Sequence, residues 1–375
     1  MNLGSFIYGN LLRRPARTLL TISAISLGIA AVVSLTSISW GFEQSWQKAN
    51  DARGTDLIVT RMASENTLPS TFPAEEPRRL LLTLPHVREV VGLFSTLLSV
   101  SDTAPPVFVF GWEFHSYLWD HLKLAEGRWP ERDDEPVAMI GSTASAVLGK
   151  KVGDEVSIEG HRLRVMGIFE SSAMVENGAL LLTLTQAQAA TEKSGKVSVL
   201  NIKLDAGATE ADSVSLRNAV REKLPGFSAI TSGELVRSNA IVALSKAMSG
   251  ATTLIAGLVS ALIVFNTMLM SISERTKEIG VLMALGWNRQ AILKLVCAES
   301  ALLAGAGGIV GILLGTGMAG FISRMDLVRG KIEPIISLPF LVLVLVFSTV
   351  LGVLGGIYPA RKAANLSPAQ ALRQE

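Results

Sequence analysis

Four stretches of the chain cross more than twenty positions with at most one charged side chain, and no other feature restricts the possible folds as much. Residues 18–42, 248–272 and 337–360 carry no charge, and residues 297–323 carry only Glu299. At 1.5 Å per residue in a helix, each is long enough to cross a hydrocarbon core of about 30 Å. A chain in which 49% of residues are hydrophobic and only 18% charged has more apolar surface than a soluble core of this length buries, and the bilayer takes the excess. The fold class expected is therefore a membrane protein with four transmembrane α-helices and an α+β extracytoplasmic domain inserted between the first and second.

The boundaries follow. Residues 1–17, with Leu3, Phe6, Ile7 and Leu11 at helical spacing before Arg13 and Arg14, predict an interfacial helix that Pro15 ends. Spans are expected at 18–42, 248–272, 296–323 and 337–360. A short segment, 273–295, joins the second and third spans, a loop occupies 324–336, and a tail occupies 361–375. The first run exceeds the 7–15 apolar residues of a signal-peptide core, and no small-x-small site precedes Glu43, so it is expected to stay attached. An even number of spans puts both termini on one side. Lys and Arg near the span ends, among them Arg275, Lys277, Arg289, Lys294, Arg361 and Lys362, favour that side as the cytoplasmic one.

Residues 43–247 have ordinary soluble composition and room for one domain or two small parts. β-Branched and apolar residues between Gly, Asp and Pro predict strands at 57–61, 95–101, 137–140, 155–159, 163–169 and 199–204. Residues 155–159 and 163–169, joined across Gly160 and His161, read as a hairpin. Helices are expected at 75–84, 185–193 and 209–224, and residues 234–247 read as a helix running without Pro or Gly into the second span. Met and aromatic residues here read as core.

Several chemistries are set aside. A net charge of +2 without a Lys/Arg block gives nucleic acid nothing to bind. One cysteine, Cys297, makes no intrachain disulfide, and with four His it is too few for a zinc cage. The pair Asp133 and Asp134 lies in a charged, loop-like stretch, and no nucleophile spacing accompanies the histidines, so no catalytic residue and no metal ligand is assigned. The P-loop pattern is absent, and its nearest lookalike, Gly149-Lys150-Lys151, lacks the leading spacing and the hydroxyl.

Within the spans, Gly307, Gly311 and Gly315, continued by Ala319, and Gly352 and Gly356 provide small residues in helical register, for packing inside one subunit or for a dimer seam. Asn266 and Thr267 are expected to hydrogen-bond to a neighbouring helix. Glu299 reads as a carboxylate solvated near the interface, with an intramembrane functional role as the alternative. No other charge lies inside a span, which argues against a polar substrate path through the subunit.

The segment between spans two and three is dense in charge. Ile279, Leu282 and Met283 follow helical spacing opposite Glu274, Arg275, Lys277 and Glu278, which predicts a short amphipathic helix at the membrane surface, stopped by Gly286. Read from residue physics alone, the segment fits a plain charged loop equally well. The ordered run from Glu274 to Gly286 resembles the signature that leaves the second span in the MacB/FtsX-like ABC transporter permease family. Tyr358 to Arg373, with Pro359, Ala360, Arg361, Ala363, Ala364, Pro368, Ala371, Leu372 and Arg373, is similar to that family's ending. Gly127-Arg128, Gly149, Val152-Gly153-Asp154 and Val165-Met166-Gly167 are similar to its periplasmic core domain.

The resemblance implies a permease of the mechanotransmission type in the bacterial inner membrane, working as a homodimer or paralogous heterodimer. Two copies of an ABC ATPase would bind the ATP and Mg, with a periplasmic adaptor as a further expected partner and no cofactor on this chain. MacB carries an ATPase domain ahead of its first span, whereas this sequence begins a few residues before the expected interfacial helix. ATP hydrolysis is accordingly expected in a separate subunit. By the same resemblance, Glu274, Arg275, Glu278, Ala284, Leu285 and Gly286 belong to a coupling helix that sits in a groove of the ATPase dimer. Two other roles remain open: FtsX-like regulation of a cell-wall hydrolase with no transported substrate, and a membrane sensor with an outer ligand-binding domain.

Overall fold

The computed structural model describes residues 15–62, 71–100, 105–238, 240–325 and 333–365, and the expected interfacial helix lies outside them apart from its last three residues. The chain divides into two compact units, Met1–Ser39 with Ser245–Phe321 and Pro334–Glu375, and Trp40–Leu244 with Ile322–Glu333.

The second unit is built on a ten-stranded mixed sheet. Its strands are β1 (Leu57–Arg61), β3 (Val87–Leu98), β4 (Val107–Trp112), β5 (Lys123–Gly127), β6 (Val137–Gly141), β7 (Glu155–Ile158), β8 (His161–Glu170), β9 (Ala179–Thr183), β11 (Val199–Leu204) and β12 (Phe227–Ile230). Two short strands, β2 (Phe72–Pro73) and β10 (Lys196–Val197), pair apart from it. The order is β12-β1-β11-β3-β4-β9-β6-β8-β5, with β7 paired to β8. β6 and β9 are buried at every position, which a strand covered on both faces achieves only with a continuous apolar run. β7 and β8 form the expected hairpin, and its two-residue loop, Glu159 and Gly160, takes positive φ at both positions, as a tight turn matched to strand twist requires.

Helices cover the sheet: α2 (Glu75–Leu81), α3 (Ser142–Leu148), α4 (Met174–Asn177), α5 (Leu184–Ala190), α6 (Glu210–Lys223) and α7 (Ser232–Ser238) follow the first long helix α1 (Pro15–Ala52) in chain order. α6 opens on a capping box in which the Thr209 hydroxyl accepts from the Asp212 amide and the Asp212 carboxylate accepts from the Thr209 amide. The strand expected at 95–101 begins at Val87 and ends at Leu98, because its first half pairs with β11 and its second with β4. The helix expected across 234–247 is α7 and the start of α8 (Ala240–Glu274), with Asn239 between them outside the described residues.

The end of α1 belongs to this unit. Trp46 stands edge-on to Phe108 at 5.3 Å between ring centroids, Ala49 is fully buried, and the Ser45 hydroxyl accepts from the Val175 amide at 2.9 Å. Pro15 is the first described residue of α1, and the break expected there involves residues outside the described ones.

The other unit holds four helices long and apolar enough to cross a membrane: α1, α8, α10 (Arg289–Ile322) and α11 (Leu338–Ala364), with α9 (Thr276–Ala284) between α8 and α10. Contacts place them in the cyclic order α1, α10, α11, α8. Ser26 donates to the Gly307 carbonyl at 3.1 Å, Ser348 to the Ala304 carbonyl at 2.8 Å, and Thr21 and Thr36 pair with Thr267 and Ser249 at 3.1 and 2.8 Å. Leu27, Leu262, Leu313 and Leu343 project outward, the surface a bilayer covers.

Candidate functional site

Helix α8 ends at Glu274, and the backbone of Arg275 leaves helical geometry before α9 begins. The bend turns Arg275 inward. Its guanidinium lies 3.2 Å from a carboxylate oxygen of Glu299 in α10 and 3.2 Å from Glu278 one turn ahead. Glu299 is buried, so the carboxylate expected to be solvated at the interface is instead enclosed against α8 and α9, with Arg275 as its counter-ion. Removing one member of such a pair leaves an uncompensated buried charge, a loss of about 3–5 kcal/mol.

α9 lies on the bundle through Thr276, Ile279 and Gly280, which are buried, with Leu282 and Met283 packed against the same apolar cluster. Its opposite stripe, Lys277, Glu278, Val281, Ala284 and the C-cap Leu285, is exposed, as is Glu274 at the end of α8, and Leu285 retains 75% of its surface. The helix ends in a Schellman arrangement: the Gly286 amide donates to the Met283 carbonyl at 3.1 Å and the Trp287 amide to the Leu282 carbonyl at 3.1 Å. Gly286 holds φ +96°, which a side chain would strain. Asn288 then opens α10, its side-chain oxygen accepting from the Ala291 amide at 2.8 Å. Of the six residues assigned to ATPase coupling, five are exposed, Glu274 at the end of α8 and Glu278, Ala284, Leu285 and Gly286 on α9 and its cap, and the sixth, Arg275, is paired to Glu299.

The glycines line helix crossings within the chain. A Cβ at Gly311 would fall 2.6 Å from the Ile29 Cβ, at Gly307 2.8 Å from the Ile25 Cγ2, and at Gly315 2.8 Å from the Val33 Cβ. Gly352 and Gly356 meet Ala304 and Ser300 on the other side of α10. Thr267 bonds to Thr21, whereas Asn266 is exposed. In the tail motif, Pro359, Ala360, Ala363 and Ala364 are buried, and Pro368, Ala371, Leu372 and Arg373 lie outside the described residues. Among the described residues, no group of three or more His, Cys, Asp or Glu could hold a metal ion.

One charged cluster escaped the sequence reading. Arg53, one residue past α1, contacts Glu176 of α4 at 2.9 Å with both members buried. Asn50 accepts from Arg53 at 3.1 Å, and Glu176 also takes His121 at 2.8 Å and the Ser171 hydroxyl at 2.5 Å. The guanidinium carbon lies 5.3 Å from the Phe110 ring and 5.1 Å from that of Trp112. Burial alone would push the Glu176 carboxyl up, but the Arg53 charge and the hydrogen bonds from His121 and Ser171 outweigh it and hold the group below the usual carboxylate range. The cluster pins the end of the first long helix to the sheet. No spacing announces it, because its members come from four separate elements.

Residues 18–219 match the family profile of the MacB-like periplasmic core domain, and residues 250–368 match that of the FtsX-like permease C-terminal region. An uncharacterized ABC transporter permease of Methanocaldococcus jannaschii is 28% identical over 99% of this chain and 97% of its own length. The macrolide export ATP-binding/permease proteins MacB of Bdellovibrio bacteriovorus and Nitrobacter winogradskyi are 26% and 29% identical over 98% and 96% of this chain. The chain spans 61% and 58% of their respective lengths. Among solved structures, the periplasmic region of MacB from Actinobacillus actinomycetemcomitans aligns with 50% of this chain and 94% of its own, at 14% identity and a TM-score of 0.40. The extracellular domain of the noncanonic ABC-type transporter YknZ from Gram-positive bacteria aligns with 47% of this chain and 99% of its own, at 14% identity and a TM-score of 0.37. With both family profiles matched in chain order and four apolar helices flanking an α/β domain, this multi-pass membrane protein belongs to the MacB/FtsX-like family of ABC transporter permeases.

Proposed function

We propose that this chain is the transmembrane subunit through which a separate ABC ATPase moves an extracytoplasmic domain, driving export or extraction of a substrate from the periplasm or outer leaflet. The observation that carries the reading is the exposed stripe on α9. Glu278, Val281 and Leu285 present an acid and apolar side chains together, on a helix whose base is fixed to α10 by the Arg275–Glu299 pair. Val281 and Leu285, one turn apart and 46% and 75% exposed, with Glu278 on the same side of the helix, make a mixed apolar and acidic surface of the kind a protein groove covers.

In this reading the segment 273–295 faces the cytoplasm, both termini lie on that side, and the protein works in the inner membrane as a dimer of permeases with two ATPase copies. Hydrolysis of ATP, with its Mg, belongs to the partner. The MacB relatives are named for macrolide export, which supports transport over regulation of a hydrolase. The test is a cross-link. With Cys297 replaced by Ala and L285C introduced, the chain is expected to form an ATP-sensitive cross-link to a co-expressed ABC ATPase. An L313C control on the lipid-facing surface is expected to form none. Equal cross-linking from both positions, or from neither, would remove the assignment.

A further inference from the structure

We propose that Arg289, Lys294 and Arg361 form a binding site for the phosphate of an anionic phospholipid headgroup, at the membrane boundary where α10 begins and α11 ends. The first turns of α10 bring Arg289, Gln290, Leu293 and Lys294 against Arg361 and Ala364 of α11 and its C-cap Asn365, lining an open recess of about 340 Å³. That volume lies at the lower end of the range for small-ligand pockets.

Three observations point to a lipid anion. First, the three cations face one recess, and among the described residues none of them has a carboxylate partner, whereas Arg275 nearby is matched to both Glu278 and Glu299. Second, Arg289 opens a 34-residue helix whose first turn contains no acidic residue. A cation there opposes the helix dipole, and a bound anion removes the conflict. Third, the recess has apolar walls in Leu293 and Ala364, and the outward surfaces that continue from it along the two spans are apolar, with Tyr358 and Leu354 exposed on α11 within two turns of Arg361 and Leu302 exposed on α10. A ligand with a phosphodiester head and acyl chains satisfies both the recess and the surface beside it. Charges that only set topology need to lie near a span end, but they need not converge on a shared cavity.

The site is tested on the full chain purified in mild detergent and offered equal amounts of dioleoyl phosphatidylglycerol and dioleoyl phosphatidylcholine, with retained lipid counted by native mass spectrometry. Phosphatidylglycerol is expected to be preferred by about a hundredfold, with roughly fivefold of that preference lost per cation removed. The triple variant R289Q/K294Q/R361Q is expected to bind the two lipids alike. The charge-conserving R289K/R361K is expected to keep the preference, as is R324Q, which alters a cation past the other end of α10. Equal retention by the unaltered chain, or an undiminished preference in the triple variant, overturns the site. Displacement of the lipid by excess inorganic phosphate assigns the recess to a free anion and overturns it too. Loss of ABC ATPase binding in the triple variant, with no lipid preference in the unaltered chain, assigns the cations to a protein contact instead.

Discussion

Arg275 reaches Glu299 across 3.2 Å from the point where α8 ends and α9 has not yet begun. The base of α9 is therefore tied to a charge on α10, a 34-residue helix of the bundle. In the proposed coupling role, a displacement of α9 would reach α10 through this buried ion pair.

The pair should behave as a unit. R275M or E299Q alone is expected to lower thermal stability in detergent by about 3–5 kcal/mol, since either strands a buried charge or polar group. The double variant R275M/E299Q is expected to lose clearly less than the sum, with a coupling energy above about 1 kcal/mol in a double-mutant cycle. Additive losses would show that the two side chains do not support each other.

The glycines of α10 differ sharply in what surrounds them. G311V would drive a side chain into Ile29, and the variant is expected to fail to assemble or to lose several kcal/mol, as overpacked cores do. G317A meets nothing within 4 Å and is expected to be silent. Detergent melting curves of both variants check the contrast, and a silent G311V would contradict the described α1–α10 crossing.

Acid sensitivity should trace partly to Glu176. Its carboxyl is held below the ordinary 4.5 in the folded protein, so the stabilisation is complete above that value and disappears as pH falls through the folded value. Intrinsic tryptophan fluorescence is expected to report a melting temperature that drops on acidification below pH 4.5. E176Q should be less stable at neutral pH and should show a shallower drop. Parallel pH curves for the two proteins would contradict the linkage.

Much of this was legible in the residues. Uninterrupted apolar runs announce the four long helices, and β1 and β11 have the bounds expected of them, 57–61 and 199–204. The exposed edge strand β5 is invisible because all five of its residues face solvent and no alternation survives. β4 and β9 escape for the opposite reason, as short apolar runs whose strand character depends on neighbours distant in sequence. Glu299 misleads because its surroundings are decided by Arg275, on another helix. The Arg53–Glu176 cluster is likewise a product of tertiary contact, with its two charges 123 positions apart.

Gly286 gives a local test of the coupling helix. At φ +96°, G286V is expected to cost about 1–2 kcal/mol of local strain and to fray the end of α9 while the bundle still folds. Hydrogen exchange of the 281–287 amides should accelerate while the α11 amides remain protected. Unchanged exchange at the end of α9 would contradict the role assigned to this cap.

The most direct measurement is ATP hydrolysis by the partner ABC ATPase, co-reconstituted in liposomes with the unaltered chain or with L285D. The unaltered chain should bind the ATPase and stimulate its turnover. L285D, which alters only an exposed position, should leave the melting temperature of the permease unchanged and reduce ATPase binding and stimulation by about tenfold or more, the scale of a central interface residue. Full binding and stimulation by a well-folded L285D protein would contradict the placement of the coupling surface on α9.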